Sequence, residues 1–271
     1  MDVSSSAVIL TKRPEIRDVV RQVLKSKGMK SENIFPVTDE KDCLKKLAEI
    51  EYGLVILDWE FAPDKILMVL DSNRKEYRLE SHLVFLLAAH DEEAIVKVAQ
   101  EYYVNYIAIG EVTTDTIRDQ IKGLVKEFTS TGPMRKMLLA IDTCRKGGDH
   151  ANALEMLEKL FAKQPDNERI GMELAEAYIQ DDKWQLAEDL LRKLMLDEEV
   201  SPRVKHLFAR CRLKQGDFNS AIASLRGAQL LSPFNIDRLL EIGNLFLKLD
   251  RPEEAEAAFT EILDLAPNNK P

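Results

Sequence analysis

An alanine recurs at a constant interval in the second half of this chain, at Ala153, Ala187, Ala221 and Ala255. A repeat of about 34 residues indicates a solenoid, in which pairs of helices stack on one another and present a groove to another chain. A small residue returns at one position because two helix backbones cross there at close range, and a larger side chain would hold them apart. The spacing therefore predicts an all-α solenoid in this half of the chain.

Other positions return with the same period. A leucine or phenylalanine stands four residues after each alanine, on the same helix face, at Leu157, Leu191, Leu225 and Phe259. A proline that can end a helix closes three of the four units, at Pro165, Pro233 and Pro267. Together with Tyr178, Gly243 and Phe246, these positions resemble the tetratricopeptide repeat (TPR) family over about residues 134–267. The second unit departs from the pattern, because Glu199 stands where the proline is expected and Pro202 follows three residues later.

The resemblance implies four repeats of two helices each, with a protein-binding groove lined by the first helix of each repeat. We expect the repeats to span 134–167, 168–201, 202–235 and 236–271. The groove positions are then Arg145, Lys146, Glu176, Gln180, His206, Arg210, Lys214, Asn244 and Lys248. Their charges make the C-terminal half of the groove basic, which is typical either of a solvated lysine face or of a site for an acidic or extended peptide.

The first half of the chain alternates between apolar runs and amphipathic stretches. Continuous apolar runs, such as residues 53–57, indicate strands that are buried on both faces. The predicted strands are 7–10, 34–37, 53–57, 83–88 and 106–109, and the predicted helices are 14–27, 39–48, 65–73, 92–102 and 115–128. This alternation predicts an α/β fold with a five-stranded, doubly wound parallel sheet. We place this domain at 1–129, a linker at 130–133 and the all-α solenoid at 134–271.

In such a sheet a ligand site lies at the carboxyl ends of the strands, where this chain carries Thr11, Lys12, Asp58 and Ala88. Residues 16–24 and 52–59 resemble the receiver domain of two-component signalling, and the resemblance covers roughly residues 5–128. In that family, Asp58 would be the residue that accepts a phosphoryl group.

The other positions of a receiver site are changed. The resemblance implies an acidic pair for Mg²⁺ where this chain has Thr11 and Lys12, a hydroxyl where it has Ala88, and a lysine where it has Ile109. Phosphoryl transfer depends on metal and cation stabilisation of negative charge, and one carboxylate beside a lysine is a poor site for Mg²⁺. We therefore interpret the domain as a degenerate receiver (pseudo-receiver) without a metal, and expect the Lys12 ammonium to pair with Asp58. The alternative is a response regulator in which phosphorylation of Asp58 controls what the solenoid binds.

Three tyrosines, Tyr102, Tyr103 and Tyr106, lie near the fourth helix and the fifth strand of the first domain. Receivers commonly use this face for contacts with partners. The tyrosines form either a partly buried aromatic edge or a partner face, and the support for the second alternative is the resemblance together with the preference of interfaces for tyrosine.

The last helix of the solenoid carries an apolar set, Phe259, Ile262, Leu263 and Leu265, which a neighbouring helix would normally cover. Either its polar neighbours suffice to keep it in water, or another chain covers it. A homodimer is one arrangement of the second kind.

Composition limits the functions that remain. The formal net charge is −9, which argues against nucleic acid or an anionic membrane as the main partner. The chain has no apolar run long enough to insert into a membrane and no signal-peptide pattern. Its three cysteines and four histidines fit no metal, disulfide or catalytic motif, and nothing indicates a cofactor. The sequence thus predicts a cytoplasmic, non-catalytic adaptor that binds other proteins in bacterial signalling.

Overall fold

The computed structural model describes residues 6–50, 53–75, 82–90, 93–102, 104–111, 113–120, 132–196, 200–233 and 235–265. The chain divides into two compact units, Met1–Asp142 and Thr143–Pro271, and the division falls within one helix. Residues 130 and 131 of the predicted linker lie outside the described residues, and residues 132 and 133 begin that helix.

The first unit is built on parallel strands in the order β2-β1-β3-β4-β5. The strands are β1 (Ser6–Leu10), β2 (Ile34–Val37), β3 (Gly53–Asp58), β4 (His82–Ala88) and β5 (Tyr106–Ile109). They alternate with helices α1 (Pro14–Ser26), α2 (Glu40–Glu49), α3 (Pro63–Lys75), α4 (Glu93–Glu101) and α5, of which residues 114–120 are described. The five parallel strands confirm the predicted five-stranded parallel sheet, and they alternate with helices along the chain. The strand order reverses between β1 and β3, so the carboxyl ends of these two strands border the crevice in which sheets of this order bind ligands.

The strands are apolar without interruption because both of their faces are buried. Ile9 of β1 packs in one cluster with Ile16 and Val20 of α1. The next residue of the strand, Leu10, points to the opposite face and is also fully buried. Helix α1 begins at Pro14, whose missing N–H costs nothing in a first helical turn.

From the end of the first unit onward, the described chain is a series of helices. They are α6 (Gly132–Lys146), α7 (His150–Lys163), α8 (Glu168–Gln180), α9 (Trp184–Leu194), α10 (Pro202–Lys214), α11 (Phe218–Leu231), α12 (Ile236–Lys248) and α13 (Pro252–Leu265). The four periodic alanines lie on the second helix of each predicted repeat and are at most 1% exposed. Their burial fits the expectation that two helices cross closely at each of these alanines and leave room only for a small side chain.

The turns within the repeats share a backbone conformation. Positive φ angles recur with the period of the alanines, at Gly148, Asp182, Gly216 and Asp250. Glycine adopts this conformation at no cost, and aspartate is among the few other residues that tolerate it. Directly afterwards, Asp149 and Asp217 cap the second helices by accepting hydrogen bonds from the N–H groups of Asn152 and Ser220, at 3.2 and 3.1 Å.

The irregular boundary of the second repeat has a simple structural meaning. Pro202 is the first residue of α10, and the side chain of Ser201 caps that helix by accepting a hydrogen bond from the N–H of Arg203 at 3.1 Å. The late proline therefore starts a helix instead of closing one, and the period continues through it.

Candidate functional site

The carboxylate of Asp58 ends β3 and is fully buried. Thr11, directly after β1, donates a hydrogen bond from Oγ1 to Asp58 Oδ2 at 2.5 Å. Arg13 binds both carboxylate oxygens, since its Nε donates to Oδ2 at 2.9 Å and its Nη2 donates to Oδ1. Two such charge-assisted bonds fix the orientation of a carboxylate. Asp58 is thus held by a hydroxyl and a guanidinium of its own chain.

Glu60 extends this network to a third strand. Its Oε2 accepts a hydrogen bond from Arg13 Nη2 at 3.1 Å, and its Oε1 accepts one from the backbone N–H of Ala89, just after β4, at 2.5 Å. The hydrogen bond with Asp58 raises the pKa of Arg13, so the guanidinium keeps its charge. One cation shared by two carboxylates therefore ties together the segments that follow β1, β3 and β4.

The prediction that Lys12 pairs with Asp58 is wrong, because the cation that pairs with Asp58 is the next residue, Arg13. Lys12 is exposed, and its Nζ lies 4.9 Å from the centroid of the Phe61 ring. The guanidinium of Arg13 presents a planar fork that matches a carboxylate, which the ammonium of a lysine does not. The signal in the sequence was Arg13 itself, a second basic residue in the same short segment after β1.

The other two positions to which the receiver resemblance points offer no polar side chain. Ala88 is fully buried at the end of β4, and Ile109 is exposed at the end of β5. Among the described residues, no group of three or more His, Cys, Asp or Glu side chains is arranged to hold a metal ion.

The tyrosines of the predicted partner face have different environments. Tyr102 is buried, and Tyr106 is half-buried with its ring centroid 5.5 Å from that of Phe85 in β4. Tyr103 lies outside the described residues. The first two thus contribute to packing, and a partner face at these tyrosines stays a prediction.

In the second unit, several predicted groove residues join one repeat to the next. Arg145 is buried, and it donates hydrogen bonds to Oε2 of Glu173 at 2.7 Å and to the backbone oxygen of the same residue at 3.2 Å. Glu176 accepts hydrogen bonds from Arg203 and, at 3.0 Å, from Nη1 of Arg210. These ion pairs connect α6 with α8 and α8 with α10, the first helices of successive repeats.

Two predicted groove lysines make a contact that itself repeats. Lys214 Nζ lies 5.0 Å from the ring centroid of Trp184, and Lys248 Nζ lies 4.4 Å from that of Phe218. In both cases the lysine ends a first helix, and the aromatic residue begins the second helix of the preceding repeat. Cation–π contacts of this kind stabilise exposed sites by about 0.5–1 kcal/mol each. The signal for this contact was that Trp184 and Phe218 are separated by one full period of the repeat.

The remaining groove positions are more accessible. His206 Nε2 lies 3.4 Å from Oε2 of Glu241, and burial raises the pKa of this glutamate. Lys146, Gln180 and Asn244 are exposed. The predicted groove is therefore less basic than its composition suggests, because part of its charge is neutralised by neighbouring repeats.

Sequence reasoning missed Glu188 of α9. Its carboxylate is buried, and it accepts hydrogen bonds from Arg212 and Gln215 at 2.7 Å and from Nε of Arg192 at 2.9 Å. These donors, Gln215 first, lower the pKa of Glu188. The only sequence signal was an acidic residue beside Ala187, four residues before Arg192 on the same helix face.

Two tetratricopeptide repeat family models match this chain, one at residues 145–211 and the other at residues 206–270. These matches support a tetratricopeptide repeat domain in the second unit. No curated protein matches the chain. None of the described helices has the length and apolar content that crossing a bilayer requires.

Three solved structures of the protein MamA are similar to this chain. MamA MSR-1 is 26% identical, with a TM-score of 0.43, and the match covers 50% of this chain and 78% of that one. MamA AMB-1 is 27% identical, with a TM-score of 0.41 and coverage of 48% and 77%. MamA from Desulfovibrio magneticus RS-1, residue 41 to the end, is 14% identical, with a TM-score of 0.46 and coverage of 68% and 100%.

Proposed function

We propose that this protein is a cytoplasmic, non-catalytic adaptor that brings other proteins together in bacterial signalling. Its TPR domain supplies the binding surface, since stacked repeats present extended surfaces to other chains. Its first unit is a receiver-like domain that keeps one state and uses neither a metal nor a phosphoryl group. The observation that carries this proposal is the engagement of the Asp58 carboxylate by Thr11 and Arg13.

Phosphoryl transfer to a carboxylate needs a free oxygen, a divalent cation beside it and donors for the phosphoryl oxygens. Arg13 takes up both oxygens of Asp58 and supplies the positive charge. The N–H of Ala89, a donor at the same edge of the sheet, is already bound by Glu60. Separating this partly buried pair would leave charges without partners, so the network resists opening.

The test of the proposal is a titration of the full isotope-labelled chain with Mg²⁺ and beryllofluoride, a phosphoryl mimic, followed by amide chemical shifts. We expect no saturable shifts around Asp58, either in the wild type or in an Asp58→Asn control. Saturable shifts that the control abolishes would favour the second candidate, a response regulator in which phosphorylation of Asp58 controls partner binding, and would overturn the proposal.

A second arm removes the internal cation. Arg13 Nη2 contacts both Asp58 and Glu60, so Arg13→Ala leaves two neighbouring carboxylates without it. We expect millimolar Mg²⁺ to raise the melting temperature of this variant by a few degrees and to leave the wild type unchanged. Arg17→Ala, which removes an exposed pair with Asp18, is the matched control and should behave as the wild type does. Equal responses of all three proteins would mean that Arg13 does not stand in for a metal.

Within this proposal, partners bind along the first helices of the TPR repeats. The predicted groove residues that face solvent there are Lys146, Gln180, Lys214, Asn244 and Lys248. The face near Tyr106 in the first unit is a further candidate surface.

A further inference from the structure

The surface of α12 and α13 exposes apolar side chains at positions that are less exposed two repeats earlier. Leu247 is 53% exposed, whereas Ile179, at the same position of the second repeat, is 3% exposed. Leu240 is 42% exposed, whereas the matching Met172 is 2% exposed. Leu263 of α13 is 56% exposed, and the matching Met195 is half-buried. We call the set Leu240, Leu247, Glu256, Phe259 and Leu263 the α12–α13 face.

The corresponding surface of the second repeat is covered by a helix of the same chain. Helix α10 packs against both α8 and α9. Leu191, which matches Phe259, is fully buried there, while Phe259 is half-buried. Glu188, which matches Glu256, accepts a hydrogen bond from Arg212 of α10 at 2.7 Å. Glu256 itself is exposed. The fourth repeat thus keeps the buried apolar positions of the second repeat as apolar residues, together with the glutamate that contacts α10 in the second repeat.

The charges of the repeats alternate along the solenoid. The second repeat has ten acidic and four basic residues, the third has one acidic and six basic, and the fourth has eight acidic and four basic. Helix α10 alone carries five basic residues and no acidic one, and α13 carries five acidic residues and no basic one. The acidic second repeat is covered by the basic helix α10. The α12–α13 face belongs to an acidic repeat of the same kind.

We propose that the α12–α13 face binds a basic amphipathic helix of a partner protein, stacked on it as α10 is stacked on α8 and α9. The apolar side of that helix covers Leu240, Leu247 and Leu263, and an arginine or lysine placed like Arg212 pairs with Glu256. Apolar burial supplies the affinity, and the opposite charges select the partner. This inference rests on the second unit being a protein-binding module, but not on the state of Asp58, so the two proposals can fail separately.

The probe is a synthetic peptide of residues 200–216 of this chain, which contains α10, with Cys211→Ala to prevent disulfide formation. A peptide of residues 252–265, which contains the acidic α13, is the matched control. Each peptide is titrated into the full labelled chain. We expect saturable binding of the α10 peptide, with shifts confined to α12 and α13 and weakening as salt is raised, and no saturable binding of the α13 peptide. Failure of the α10 peptide to bind, or binding at another surface, overturns the proposal.

Variants then test the face itself. Glu256→Lys and Leu263→Ser are each expected to weaken binding of the α10 peptide about tenfold. Glu155→Lys on α7 and Leu230→Ser on α11 change exposed residues outside the face and should leave the affinity within about twofold. All four positions are exposed, and unchanged melting temperatures will verify that the variants fold.

Sedimentation of the full chain tests whether a second copy of the chain, instead of a partner helix, covers the α12–α13 face. We expect the chain to stay monomeric at the concentrations of the titration. A dimer that Leu263→Ser dissociates and that the α10 peptide cannot displace would mean that a second copy of the chain covers the face, which would overturn the assignment to a partner helix.

Discussion

The second and fourth repeats follow the same pattern, but one is enclosed and the other is open. Ile179 is buried in the second repeat, and Leu247 at the same position of the fourth is exposed. Glu188 is buried and held by several donors, and Glu256 at the same position is exposed. The difference does not lie in the type of residue, because an apolar residue matches an apolar one and a glutamate matches a glutamate. It lies in the neighbouring helix, because α10 packs on both helices of the second repeat, whereas no helix follows α13 among the described residues.

The largest expected difference concerns these apolar positions. Ile179→Ala should lower the free energy of unfolding by about 2–4 kcal/mol, because it leaves a cavity in a closed interface. Leu247→Ala should lower it by less than about 1 kcal/mol, because this side chain is half in water already. Urea unfolding followed by Trp184 fluorescence, in a common Trp59→Phe background, measures both. Equal losses would break the comparison, since the fourth repeat would then be as enclosed as the second.

A smaller effect is expected where the two helices of the fourth repeat cross. A Cβ atom on Gly243 would lie 2.3 Å from Cε1 of Phe259, so the ring would have to move. The second repeat has Ala175 and Leu191 at the same two positions. Gly243→Ala should therefore cost about 1–2 kcal/mol, after the better helix propensity of alanine is included.

The matched control for this prediction is the pair that the second repeat uses. Adding Phe259→Leu to Gly243→Ala should restore most of the lost stability in the same urea measurement. A double variant as unstable as the single one would place the cost in the backbone and not in the ring.

The smallest expected effect is a pair of opposite pH dependences. The pKa of Glu188 is lowered by its hydrogen bonds, so its contribution is present above its unfolded pKa and is lost as the pH falls. The pKa of Glu241 is raised by burial, so the folded state loses stability as the pH rises through that raised pKa. Glu188→Gln should cost about 0.5–1 kcal/mol at neutral pH and less in acid. Glu241→Gln should be neutral or stabilising at neutral pH.

Melting temperatures at pH 7 and near pH 4 measure both changes. The sign is the decisive result. For each variant, the compared quantity is the difference in melting temperature from the wild type. If this difference changed with pH in the same direction for both variants, the carboxylates of Glu188 and Glu241 would not differ in the way that their hydrogen bonds and burial indicate.

Much of the fold could be predicted because its signals are local. The apolar runs of the strands reflect burial on both faces, and the evenly spaced alanines reflect one helix crossing repeated along the chain. The position of Asp58 at the end of β3 followed from the same reasoning. The partner of Asp58 did not, because Lys12 and Arg13 are equally basic in sequence, and only the direction and shape of the side chain select Arg13.

The sequence by itself determined the elements, the repeat and the places where charged residues stand along each helix. Only the tertiary structure decided which of those charges are enclosed, such as Arg145 against Glu173, and which face water, such as Glu256. The physical reason is the range of the forces involved. Helix and strand patterns are set by neighbours a few residues apart, whereas an ion pair such as Arg13 with Asp58 joins residues 45 positions apart and forms only once the surrounding elements have packed.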